Sequence, residues 1–275
     1  MNGCLKAGIA ALLAQVIGVA TVLAEGLPSA SQAQQALAVA AAGQRYTFLV
    51  FYKENSAATR AMAQTVKNGV ESRGDRATWT YVNVGDPAEK ALVDRFGVGR
   101  APMPLTIAVA PNGAMTKLTP TSITDEQIEK SFVTPAMAHS MKAMQDGKLV
   151  LICTQANVKS TIPAGVRDFS NDPEFKSRVT VVGVQTSDPL EVELVRQLEA
   201  DVVTKGATTV FLAPPGVLVG KFGPAATTEQ LAIALHKAGH CCDDPNCKHN
   251  QGAQGANQPA ASAPRQATQS TGSRR

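Results

Sequence analysis

The sequence predicts an α/β protein made of two copies of one unit, each a central mixed sheet flanked by helices. Three observations carry that prediction. Strand-like and helix-like stretches alternate along the chain, which implies parallel strand pairing. Each half ends in a hairpin signal followed by a helix. Landmarks also recur in one register: Asn55 with Asn157 and Asp86 with Asp188 lie 102 positions apart, Ala110 with Ala213 and Glu126 with Glu229 lie 103 apart. Chance rarely places several independent landmarks in step, so the unit is read as βαβα-ββα, present twice.

In the first unit, Gln32–Ala42 is rich in Ala and Gln and stops at Gly43, as a short helix would. Tyr46–Tyr52 is continuously apolar, the pattern of a strand buried on both faces. Residues 57–73 form a helix with Met62, Val66 and Val70 at four-residue spacing, and 78–84 alternate as a strand. Asp86-Pro87-Ala88-Glu89 reads as a helix start, with Asp at the N-cap, Pro first and Glu third; Leu92, Val93 and Phe96 follow on that helix. Leu105–Val109 and 114–118 flank the turn Ala110-Pro111-Asn112-Gly113, and 123–132 close the unit as a helix.

The order repeats. Strands are expected at 148–154 and Val179–Gln185, a helix at 162–169 with Pro163 in its first turn, and a second capped start at Asp188-Pro189-Leu190-Glu191. Strands at 208–212 and Val217–Phe222 flank Ala213-Pro214-Pro215-Gly216, and a last helix at 227–238 stops at Gly239. Residues 135–147, helical with Met137, Met141 and Met144, are either a connector or the first helix of the second unit. The expected organisation is 1–24, 32–134, 135–240 and 241–275.

Residues 1–24 carry Lys6 ahead of an apolar run and small residues at Val22-Leu23-Ala24, the pattern of an export signal. A cleavage point near Ser31-Gln32-Ala33 is the alternative, and an uncleaved membrane anchor is the minority reading. Cys4 precedes the apolar run, where a lipoprotein cysteine would not stand. Export points to a periplasmic or secreted, oxidising location. Residues 251–275 hold almost no large apolar side chain and are expected to stay disordered.

Composition narrows the function classes. Of 275 residues 44% are hydrophobic, enough for real cores, whereas aromatics make up only 4% and the formal charge is +4. Few stretches interleave aromatic and basic residues, so nucleic acid is not an expected partner. No Gly-rich phosphate loop, Gly-x-Ser-x-Gly elbow or His-Glu-x-x-His is present. Asp86/Glu89 and Asp188/Glu191 are read as helix caps rather than acid–base pairs. Cys153 sits in an apolar strand as a small core residue, and His139 and His236 have no companion ligand nearby in sequence.

The unit order and the corner Phe51-Tyr52-Lys53-Glu54-Asn55 resemble the thioredoxin fold twice over, across roughly residues 32–239. In that family a Cys-x-x-Cys pair opens the helix after this strand, beside a cis-proline that precedes the next strand. The resemblance puts Ser56 and Thr59 at the two cysteine positions and Pro104, in Met103-Pro104-Leu105, at the proline; the second unit has Val158, Thr161 and Ala207 there. Thiol–disulfide exchange needs an attacking thiolate and a resolving thiol, and neither hydroxyl supplies one. The resemblance therefore implies a redox-inactive tandem with no cofactor. Its remaining surface, Ser56 and Thr59 facing Met103 and Pro104, is a candidate groove for an extended peptide of another exported protein. The alternative is that Pro104 serves the backbone alone.

One further cluster stands apart. Between His240 and His249 lie Cys241, Cys242 and Cys247, and Cys241, Cys242, Cys247 and His249 would suit a soft metal ion. The spacing matches no established zinc pattern, and in an exported chain a disulfide from Cys247 to Cys241 or Cys242 is favoured. A redox-active pair in this tail is the third reading, and it would make the protein a thiol–disulfide or metal-handling one.

Overall fold

In the computed structural model, residues 30–156, 161–198 and 206–239 are described, and those from Ser31 onward belong to one compact unit. The apolar run Tyr46–Tyr52 forms β1, an inner strand of its sheet whose five central residues are buried. Ala77–Asn83 (β2) pairs parallel with β1, Leu105–Val109 (β3) pairs antiparallel on the other side, and Met115–Pro120 (β4) extends the sheet. The resulting order is β2-β1-β3-β4.

Helices cover both faces. Met62, Val66 and Val70 of Ala57–Glu71 (α2) and Ile128 of Asp125–Glu129 (α4) pack with Phe48 and Val50. The opposite side chains of β1, Leu49 and Phe51, meet Ala33 of Gln32–Ala42 (α1) and Leu92 of Lys90–Phe96 (α3). One strand thus feeds two cores, which explains its unbroken apolar run.

The second domain repeats this plan. Leu149–Gln155 (β5), Val179–Gln185 (β6), Thr209–Ala213 (β7) and Val217–Phe222 (β8) form a sheet of order β6-β5-β7-β8 with the same pairing senses. Both hairpins carry an irregularity at the same relative position, between Ala108 and Val109 and between Phe211 and Leu212. Leu149, Leu151 and Cys153 face Ala164–Asn171 (α6) and Thr228–Lys237 (α8). Val150 and Ile152 face Pro135–Gln145 (α5) and Val192–Gln197 (α7). Two mixed four-stranded sheets, each between helical layers, make a tandem of thioredoxin-like domains.

Residues 135–145 take the role that α1 has in the first domain. Ala136 and Ala143 of α5 pack on the second sheet, as Ala33 packs on the first.

Several helix limits differ from the sequence reading. Helix α4 starts at Asp125 because Thr124 closes a capping box with Gln127. Pro163 precedes α6 as its N-cap instead of entering its first turn. Asp86 accepts from the Ala88 amide at 2.8 Å, but a 3₁₀ turn, Pro87–Glu89, intervenes before α3.

Glu89 and Glu191 require a correction. They are 7% and 5% exposed, and each reaches the N-terminus of another helix. Ser31, the N-cap of α1, donates its hydroxyl to Glu89 Oε2 at 2.7 Å, and the Ala136 amide in the first turn of α5 donates to Glu191 Oε1 at 2.8 Å. The repeat therefore contains a buried carboxylate that ties its first helix to the turn after its second strand.

Candidate functional site

At the C-terminal end of β1 the chain turns through Lys53-Glu54-Asn55 into α2, with Ser56 as N-cap. Ser56 Oγ accepts from the Thr59 amide at 3.1 Å, and Thr59 Oγ1 donates to the Glu54 carbonyl at 2.8 Å. The Thr59 proton is thereby committed, so the 3.1 Å contact between the two hydroxyls has Ser56 as donor. Where the family resemblance calls for two sulfurs, the corner has a closed Ser–Thr hydrogen-bond circuit. Ser56 is exposed and Thr59 is buried at 3%.

The loop before β3 faces this corner. Lys53, Glu54, Ser56 and Thr59 on one side and Ala101, Pro102 and Met103 on the other line an open groove of about 310 Å3. The Met103–Pro104 peptide is cis, and Pro104 is buried behind the groove, where its carbonyl accepts from the Thr121 amide at 2.8 Å. Among the described residues, neither the N–H nor the C=O of Met103 has a hydrogen-bond partner. Ser56, Thr59 and Met103 are thus brought together, with Pro104 as backing. Lys53, Glu54, Ala101 and Pro102 were missed by sequence reasoning, although the Pro102-Met103-Pro104 run signals a constrained wall at that point.

The second domain's corner is different. Thr161 is exposed, Val158 lies outside the described residues, and α6 begins without a side-chain cap. The approach to β7 is held by Thr154, whose hydroxyl accepts from the Thr208 amide at 2.9 Å and donates to the Thr208 carbonyl at 3.1 Å. Its cis proline, Pro214–Pro215, lies in the hairpin turn and not at Ala207.

Cys153 is a buried free thiol in β5, held above its ordinary pKa by burial, with Thr209 Oγ1 at 3.5 Å pulling the other way. A desolvated thiol is a poor thiolate and belongs to the core. Cys241, Cys242, Cys247 and His249 lie outside the described residues.

A larger cavity, about 510 Å3, opens between residues 130–134, α5 and α7. Its charges are already engaged: Lys130 hydrogen-bonds Glu126 at 2.6 Å, and Arg196 hydrogen-bonds Glu193 at 2.6 Å. These partners hold the two carboxyls below the usual range. Its remaining walls are mainly apolar, with Phe132, Met137, Met141 and Leu194 among them.

No protein-family model and no curated protein matches the chain. Among solved structures it is similar to chloroplastic thioredoxin z, with 14% identity over 40% of this chain and 89% of that one and a TM-score of 0.28. StoA from Bacillus subtilis shares 14% identity over 32% and 82%, with a TM-score of 0.25. An N-terminal domain of the alkylhydroperoxide reductase AhpF from Enterococcus faecalis shares 14% over 73% and 96%, with a TM-score of 0.28.

Proposed function

We propose that this is an exported, redox-inactive binding module that holds an extended segment of another exported protein in the groove between Ser56 and Met103. The observation that carries this reading is the hydroxyl circuit. Ser56 and Thr59 spend their protons on each other and on the backbone, so the corner offers a shaped surface without a nucleophile. The backbone groups of Met103 offer one acceptor and one donor at the groove wall, the pair an extended peptide would complete. Periplasmic or secreted location follows from the apolar run behind Lys6.

Affinity capture from the envelope fraction, with the full chain and with Met103→Asp, tests the proposal. A partner retained by the parent chain and lost from the variant supports groove binding; a partner held equally by both ends it. Reduction of a model disulfide substrate checks the inactivity. The expected result is no turnover, and turnover abolished by replacing Cys241, Cys242 and Cys247 would move the protein to the thiol-handling class.

A further inference from the structure

The groove between Ser56 and Met103 carries a charge imbalance. Lys53 and Glu54 line it directly, and Arg100 stands at the head of the opposite wall, next to Ala101. Arg60, in the first turn of α2, reaches back to the Asn55 carbonyl at 2.6 Å and so lies across the same corner. All four residues are exposed.

These cations differ from others in the first domain. Lys67, Arg73, Lys90 and Lys130 are each ion-paired, whereas Lys53, Arg60 and Arg100 have no ion-pair partner among the described residues. Of the groove's residues and their neighbours in the chain, only Glu54 is acidic. Three unpaired cations against one carboxylate leave a positive field over the groove, and concave walls focus such a field.

We propose, on the reading of this groove as a peptide site, that the segment it holds is acidic, with Asp or Glu flanking an uncharged residue at the Ser56 corner. The flanking carboxylates meet Lys53 and Arg60 on the side of the corner and Arg100 at the other wall, which supplies charge complementarity on top of the backbone pair at Met103. The central residue is uncharged because the corner has no proton to give it. Thr59 Oγ1 donates to the Glu54 carbonyl and Ser56 Oγ donates to Thr59, so lone pairs are what remain toward the groove. A carboxylate at that point would lose water and gain no donor.

Random decapeptides displayed on phage and selected on the full chain test this. Ser56→Trp marks the groove binders: the position is exposed, so an indole there obstructs the groove without adding charge, and circular dichroism checks its folding. Peptides that bind the parent chain and are lost from Ser56→Trp are expected to be enriched in Asp and Glu. For one of them, synthesised and followed by fluorescence anisotropy, Lys53→Glu and Arg100→Glu each weaken binding about fivefold, Glu54→Gln tightens it about twofold, and added salt weakens it. A groove-dependent set without acidic enrichment overturns the proposal and leaves the peptide site standing. So does an acidic peptide whose affinity ignores all three substitutions. If no selected peptide depends on Ser56, the peptide site itself is overturned, and this specificity with it.

Discussion

Glu191 shows how one buried side chain can set the geometry of a helix. Its Oε1 takes the Ala136 amide, one of the four amides that a helix N-terminus leaves without an internal partner. Glu191→Ala strands that amide inside the protein and is expected to cost about 1–3 kcal/mol in urea unfolding. Glu89→Ala removes only a hydroxyl bond to Ser31, which still caps the Gln34 amide, and should cost about 0.5–1.5 kcal/mol. Glu191→Gln keeps an acceptor and should retain most of the stability. Tyr46 offers a pH-dependent counterpart. Its hydroxyl donates to the Val133 carbonyl at 2.9 Å and accepts from the Val133 amide at 3.1 Å. Burial pushes its pKa above the ordinary phenol value, against smaller opposing effects of the Val133 bond and of Arg76. The unfolded chain therefore releases this proton first, near pH ~10. The stability it contributes is complete below that pH and is lost as pH rises through the higher folded value. Tyr46→Phe should be less stable at neutral pH and should lose the high-pH end of the phenolate absorbance titration.

Among the elements, α6 meets the chain leading into α8 where Gly165 leaves out a side chain. A Cβ there would lie 2.1 Å from the Ala226 carbonyl oxygen and 2.8 Å from Thr227 Cα, both backbone atoms that cannot turn aside. At Gly69 in α2 the nearest obstacle is Ile128 Cδ1 at 2.6 Å, the movable end of a side chain. Gly165→Ala is therefore expected to cost about 1–3 kcal/mol or more by overpacking, and Gly69→Ala clearly less, in parallel denaturant titrations. Equal costs would mean that the two helices shift freely. Strands, hairpins and the repeat were legible in the sequence because buried central strands and turn residues leave local marks: Tyr46–Tyr52 is apolar throughout, and Asn112-Gly113 breaks the pattern on cue. Other features were not legible, because they depend on residues far apart in the chain. Ser31 and Glu89 are 58 positions apart, and nothing local says that this Glu serves a different helix. Likewise Ser56 and Met103 could be placed opposite each other only through the resemblance, while the groove's further walls, Lys53, Glu54, Ala101 and Pro102, needed the folded loop.

For the whole molecule, α5 decides whether two domains behave as two. One of its faces completes the second sheet's core through Ala136 and Ala143, and another, through Ala138, closes the hairpin end of the first domain. Tyr46, at the start of β1, holds the Val133 backbone just ahead of this helix, and Gln145 holds Met115 near its end. Unfolding the first domain would expose α5 on one side and leave these polar groups without their partners. Unfolding the second would remove the lid from Ala110 and Ala114. Each loss is a few interactions of about 1 kcal/mol, yet they sum against a marginal total stability. A single calorimetric transition is therefore expected, with van't Hoff and calorimetric enthalpies that agree. Ala138→Asp sets a carboxylate between two buried alanines at this seam while leaving both sheets intact, so it should split the transition into two. Two transitions in the parent chain would show instead that α5 belongs to the second domain alone, and that the first folds without it.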